Sequence, residues 1–89
     1  METVYADKLY EFLTDLMVTA QSQQDDETAQ RIDRARKFYV IPLTSEFLGE
    51  SMFALREVLG CSKTLFTPEQ TSKAQEYADA IRQQWFSDQ

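Results

Sequence analysis

Apolar side chains recur every three or four residues along most of this chain, the spacing of one face of an α-helix. Between residues 4 and 20 this pattern predicts a first helix with Thr3 as its N-cap. Its inward-facing residues are Tyr5, Leu9, Phe12, Leu13, Leu16 and Ala20. Residues 21–27 contain no apolar side chain, so they form either a loop or a solvated continuation of this helix.

A second helix is predicted to begin at Asp25 or Asp26, because either carboxylate is a good N-cap, and to run to about Tyr39. Pro42 biases Ile41 away from helical dihedral angles, so this helix must stop or kink there. The residues that face inward are Ile32, Ala35 and Tyr39.

The third predicted helix, from about Thr44 to Leu59, is the most apolar of the chain. Its broad apolar face consists of Phe47, Leu48, Met52, Leu55, Val58 and Leu59. Gly60 follows as the expected left-handed C′ residue, and Cys61 occupies C″, where it is better suited to apolar filling than to reactivity.

The motif Thr67-Pro68-Glu69-Gln70 predicts the start of a fourth helix. Thr67 is the N-cap, Pro68 is N1 and Gln70 is at the capping-box position. Its inward-facing residues are Ala74, Tyr77, Ala78, Ile81 and Trp85. The whole pattern predicts a single all-α domain over residues 1–89, a compact bundle of four helices, or of three if one connection is continuous.

The composition agrees with this class and excludes several others. With two glycines and two prolines in 89 residues, a many-turned all-β domain is disfavoured. Apolar runs are far shorter than the roughly 20 residues that span a bilayer, and the amino terminus lacks the layout of a signal peptide. A lone cysteine cannot form an internal disulfide, so we expect a cytoplasmic protein without a membrane segment.

The residue types needed for most catalysis and metal binding are missing. The chain has no histidine, so histidine activation of a serine or cysteine nucleophile is excluded. The single cysteine excludes paired-cysteine zinc sites, and the acids at 25–27 lack the spacing and the glycine of a calcium loop. We therefore expect no enzyme activity, no cofactor and no metal.

Charge is distributed unevenly along the chain. The net charge is −6, and residues 1–30 alone carry seven acids against one lysine. Asp7, Glu11 and Asp15 follow one another at i,i+4 spacing, where like charges destabilise a helix by about 0.2–0.5 kcal/mol per pair. Such a row suits contact with a basic surface, and it equally fits a solvated face that serves only solubility.

The third helix adds a second group of acids. Glu46, Glu50 and Glu57 are predicted to cluster opposite its apolar face, with Phe53 among them. An aromatic ring with a charged rim is typical of a binding hot spot. The alternative is that this helix is covered on both sides and that Phe53 packs inside.

The second helix carries a basic stripe, formed by Arg31, Arg34, Lys37 and Phe38. Basic residues beside an aromatic ring are able to bind nucleic acid. However, so few cations beside an acidic segment make a poor phosphate site, so neutralisation of the first helix or pairing with another copy is favoured.

The sequence therefore predicts a non-enzymatic protein-binding domain, acting as an inhibitor, adaptor or chaperone. It would dock its acidic helical surface on a basic patch of a partner protein, and a nucleic-acid-handling protein is one candidate. The predicted contact residues are Asp7, Glu11, Asp15, Glu46, Glu50, Phe53 and Glu57. One alternative is a homodimer or larger homo-oligomer in which the basic stripe meets the first helix of a neighbour. Direct nucleic-acid binding through that stripe is the other.

Overall fold

The computed structural model describes residues 5–39, 45–60 and 65–87. Four α-helices follow one another along the chain, which confirms the predicted all-α class. They are α1 (Ala6–Ser22), α2 (Asp26–Arg36), α3 (Ser45–Leu59) and α4 (Pro68–Ser87). None of the helices in these ranges is long and apolar enough to cross a bilayer.

Side-chain contacts fix the direction of the first three helices. Thr14 in α1 contacts Arg36 at the end of α2, while Tyr10, one turn earlier, stacks on Tyr39, which lies beyond that end. The later residue of α1 therefore contacts the earlier residue of the second segment, so the two helices are antiparallel. The pairs Arg34–Glu50 and Tyr39–Phe47 show the same reversal between α2 and α3.

The fourth helix closes the bundle by contacting both α3 and α1. Asp15 accepts a hydrogen bond from Gln70 at the start of α4, and Phe12 stacks on Tyr77, two turns further along α4. These pairs make α4 antiparallel to α1. The result is an up-down-up-down bundle in which α1 and α3 occupy diagonal corners, with α2 and α4 between them.

Each helix contributes one apolar face to a common core. Nearly all the residues predicted to face inward in α1, α2 and α3 are buried or half-buried. The buried apolar side chains are Leu9, Phe12, Leu13, Leu16, Ala20, Ala29, Ile32, Ala35, Phe47, Leu48, Ala54, Leu55, Val58, Phe66, Ala74, Ala78 and Ile81. Tyr77 is half-buried, and the side chain of Trp85 lies outside the described part of the chain.

Two predicted caps are confirmed by their hydrogen bonds. Asp25 is the N-cap of α2 and accepts from the Thr28 backbone N–H at 3.2 Å and from its hydroxyl at 2.9 Å. At α4, the Gln70 N–H donates to Thr67 Oγ1 at 3.1 Å and the Thr67 N–H donates to Gln70 Oε1 at 3.0 Å. This is the reciprocal capping box that the Thr67-Pro68 signal predicts.

Two predictions at the ends of α1 and α2 are wrong. Tyr5 was expected inside but is 61% exposed, because it is the N-cap and its extended backbone takes its side chain off the helical face. The predicted cap, Thr3, lies outside the described residues. Helix α2 ends at Arg36 rather than at Tyr39, and residues 37 and 38 form a turn.

Gly60 does not take the left-handed conformation predicted for it. Among the described residues no glycine has a positive φ, and Gly60 instead donates to the Arg56 carbonyl at 2.8 Å. A Cβ at this position would lie 3.1 Å from that oxygen, so it is close packing rather than a positive φ that favours glycine. The left-handed residue is Gln24, with φ of 61°, in the turn between α1 and α2. Cys61, Pro42 and Thr44 lie outside the described part.

Arg36 joins α1 to α2 through hydrogen bonds to three residues of α1, Tyr10, Thr14 and Met17, and it also bonds to Asp33 within α2. Its guanidinium donates to Thr14 Oγ1 at 3.0 Å, to Asp33 Oδ1 at 2.8 Å and to Tyr10 Oη at 2.9 Å. The side chain is 19% exposed, so solvent screens these bonds less than it screens a surface ion pair. This inward cation was not anticipated from the sequence, where Arg36 is one of four bases within residues 31–37.

We expect Arg36→Ala to lower the free energy of unfolding by about 2 kcal/mol, since a hydrogen bond to a charged group contributes about 1.5–3 kcal/mol. Arg34→Ala is the matched control, because that side chain is 68% exposed and its ion pair with Glu50 is 3.7 Å long. Its effect should remain within about 0.5 kcal/mol. Urea denaturation followed by circular dichroism measures both. Equal losses would show that Arg36 has no special structural role.

Candidate functional site: two charged faces

The acidic row of α1 lies on its solvent side, as predicted. Asp7, Glu11 and Asp15 are all exposed. Asp15 accepts a hydrogen bond from Gln70 Nε2 at 3.0 Å. Within the described ranges, none of the three carboxylates forms a salt bridge. The row is therefore available to a cation from outside the molecule.

An apolar residue lies within this row. Val18 is 54% exposed and follows Asp7 by eleven residues, which returns a helix to almost the same direction. Together Asp7, Glu11, Asp15 and Val18 form what we call the α1 face. Val18 is not among the residues predicted from the sequence, although its i+11 spacing from Asp7 places it on the same side of the helix.

The acids of α3 also lie outside the core. Glu46 and Glu57 are exposed, and Glu50 is half-buried. Phe53 is 60% exposed, so it is not part of the interior, which was the alternative left open by the sequence. We call the group formed by Glu46, Gly49, Glu50, Phe53, Arg56 and Glu57 the α3 face.

The α3 face is less acidic than the row of glutamates suggests. Glu50 forms an ion pair with Arg34 of α2, with 3.7 Å between Nε and Oε2. Arg56, three residues after Phe53, is exposed on the same side of the helix. Two cations thus accompany three carboxylates here. Beside the row of α1, Lys8 is adjacent in sequence, and Lys73 of α4 places its Nζ 5.7 Å from the centroid of the Phe12 ring. Neither lysine forms a salt bridge with described residues.

The bundle separates the two faces. Because α1 and α3 stand at diagonal corners, their solvent sides point in opposite directions from the core. The seven predicted contact residues therefore do not form one surface. No single flat partner surface can cover both faces at once.

The basic stripe of α2 is partly used inside the molecule. Arg34 pairs with Glu50, and Lys37 lies 3.8 Å from Asp33 within α2. Phe38 is half-buried and packs against the core, while Arg31 is exposed. No salt bridge in the described residues links a base of α2 to the acids of α1, so the expected neutralisation of the first helix is not seen.

The acids at the start of α2 serve the fold rather than a metal. Both oxygens of Asp25 accept hydrogen bonds from Thr28, which caps the helix. Across the described ranges, no group of three or more acidic or cysteine side chains is placed to hold a metal ion. A shallow groove of about 310 Å³ lies beside them, between α1 and α2. Its lining residues are Met17, Gln21, Asp26, Ala29, Gln30 and Asp33.

We expect Glu11→Lys to stabilise the fold, because it replaces two repulsive i,i+4 pairs with two attractive ones, which outweighs the one i,i+3 pair with Lys8 that becomes repulsive. Each such pair contributes about 0.2–0.5 kcal/mol. Thermal denaturation at low and high salt measures the gain, which should shrink as salt screens exposed charges. Glu11→Gln, which removes the repulsion without adding attraction, should give a smaller gain. A loss of stability in both variants would mean that Glu11 has a structural partner.

Comparison with known proteins does not supply a function for this arrangement. No protein family, curated protein or solved structure matches the chain at a significant level. The role of the domain must therefore be inferred from the side chains that it exposes.

Proposed function

We propose that this domain is a non-enzymatic protein-binding module that docks the α1 face on a basic surface of a partner protein. The observation that carries this proposal is the exposed row of Asp7, Glu11 and Asp15, which no described cation neutralises. In its bound state the domain would act by occluding that basic surface, as an inhibitor, adaptor or chaperone does.

The cost of the row supports a functional role. Glu11 has a like charge four residues away on each side, which weakens α1 by several tenths of a kcal/mol. Mixed charges would keep the helix equally soluble without this repulsion. Departures from local stability rules are expected at functional sites, where another requirement overrides them.

The geometry of the row suits long-range attraction. Asp7 and Asp15 are eight residues apart, which corresponds to about 12 Å along the helix axis. Three carboxylates beside one lysine on a rigid helix produce a net negative field, which speeds the encounter with a basic protein and weakens as salt is added. The phosphate-binding groove of a nucleic-acid-handling protein is one basic surface of this kind.

The test reverses the charge of the row. We expect the triple variant Asp7→Lys, Glu11→Lys and Asp15→Lys to lose capture of the partner while keeping its helicity. The partner is identified by pull-down from the native cell and mass spectrometry, and its Kd is then measured against salt concentration. Affinity should fall as salt rises. Affinity that does not respond to salt would contradict the proposal.

A matched control separates the row from net charge. The variant with Glu69, Glu76 and Asp79 changed to Lys alters exposed acids of α4 instead. Each triple changes the formal charge by +6, from −6 to 0, and each includes one acid in the first turn of its helix. The α4 triple should still bind. Equal losses in both triples would show that overall charge, not the α1 face, governs capture.

The exposed cations of α2 favour one alternative, a homo-oligomer in which Arg31, Arg34 and Lys37 meet the α1 face of a neighbour. Our proposal expects light scattering to report a monomer at all concentrations, because each copy carries a net charge of −6. A mass that rises with concentration, and that the α1 triple returns to that of a monomer, would support the alternative.

A further inference from the structure

Phe53 is unusually exposed to solvent for an aromatic residue of α3. The other large aromatic of this helix, Phe47, is fully buried, whereas Phe53 is 60% exposed in the middle of a solvent-facing side. Keeping apolar surface in water is unfavourable, at about 25 cal/mol per Å². An exposed aromatic with a polar surround is the usual anchor of a protein interface.

The two flanks of Phe53 differ in charge and in bulk. At about 100° per residue, Glu46, Glu50 and Glu57 lie within about 60° of Phe53 on one side. On the other side lie Gly49, which has no side chain, and Arg56. The α3 face is thus a ridge formed by one ring, with an acidic flank and an open flank.

A second copy of the chain is a poor occupant of this face. In an antiparallel two-fold pair centred on Phe53, each flank meets the same flank of the other copy. Glu50 of one copy then lies level with Glu57 of the other. In a parallel pair Glu46 faces its own counterpart, and Arg56 offsets only part of this repulsion. Each copy also carries a net charge of −6.

We infer that the α3 face binds a basic amphipathic helix of a partner protein. An apolar side chain of that helix would pack beside Phe53 over Gly49, since helices interlock by placing ridges into gaps. Its lysines or arginines would lie along Glu46 and Glu57, which are about 16 Å apart along α3, while Glu50 between them is already paired with Arg34. Charge complementarity orients the partner helix, because its basic flank has to face the acidic flank of α3.

This interface is separate from the one proposed for α1. The two faces lie at diagonal corners of the bundle, so occupation of one leaves the other open. One molecule would therefore hold two basic partners on opposite sides, which is the geometry of an adaptor. The inference does not rest on the proposed role of the α1 face, and either one can fail alone.

The test uses the full chain and a synthetic helical peptide. The peptide has a leucine at its centre and three lysines, at positions −7, −3 and +4 relative to that leucine. These are the positions of Glu46, Glu50 and Glu57 relative to Phe53. In an antiparallel alignment its basic flank meets the acidic flank of α3. The comparison peptide carries glutamates at the three lysine positions. Binding is followed by amide chemical-shift changes in NMR titrations.

We expect the lysine peptide to shift amides of α3 and to leave those of α1 unchanged. Phe53→Ala should weaken binding about 30-fold, which equals about 2 kcal/mol at an anchor position. Tyr5→Ala is the matched control, because it truncates an aromatic side chain of similar exposure (61%) that lies outside both faces, and it should not change the Kd. Circular dichroism confirms that both variants are folded.

Glu46→Gln with Glu57→Gln should weaken binding and reduce its salt dependence while keeping Phe53. Four results would overturn the inference: wild-type affinity in Phe53→Ala, shifts centred on α1, equal binding of the glutamate peptide, or a wild-type dimer that Phe53→Ala dissociates. In the last case the second copy would be the occupant. None of these results would change the outcome expected of the charge-reversal test of the α1 face.

Discussion

The half-buried Arg36 guanidinium is the main polar connection between α1 and α2, the first two helices of this bundle. Helix α2 has eleven residues, and its buried side chains are small apart from Ile32. So short a helix is only marginally stable by itself and depends on its contacts with the rest of the bundle. Arg36 adds polar contacts through its bonds to Thr14 and Tyr10, and the Tyr10 ring extends them by stacking on Tyr39.

The ion pairs formed by the cations at the end of α2 determine which acids of the bundle they leave unpaired. Arg36 and Lys37 are both close to Asp33 within α2, and Arg34 turns to Glu50 of α3. The carboxylates of the α1 face receive none of these charges. A chain with nine bases against fifteen acids has to leave some acids without a cation. Within the described ranges these acids occur on all four helices, and those of α1 follow one another at i,i+4 spacing. The electrostatic surface is thus a consequence of internal packing.

The topology then gives the two faces different properties. Helices α1 and α3 are diagonal, so their two faces lie apart. The α1 face is acidic and has one small apolar residue, whereas the α3 face has an aromatic ring between charges of both signs. Attraction at a distance is stronger for the first, and close packing is stronger for the second. A single domain therefore offers two distinct modes of contact, on sides that do not compete for the same space.

The sequence by itself determined the four helices, the caps at Asp25 and Thr67, and most of the core, because the spacing of apolar residues and the chemistry of caps act over a few neighbouring positions. It also placed Asp7, Glu11 and Asp15 on one exposed side. Tertiary structure decided that Arg36 turns inward, that Phe53 stays in water and that the predicted acidic surface is two faces. These outcomes depend on which helices become neighbours, and that is set by long-range packing rather than by the period of any one helix.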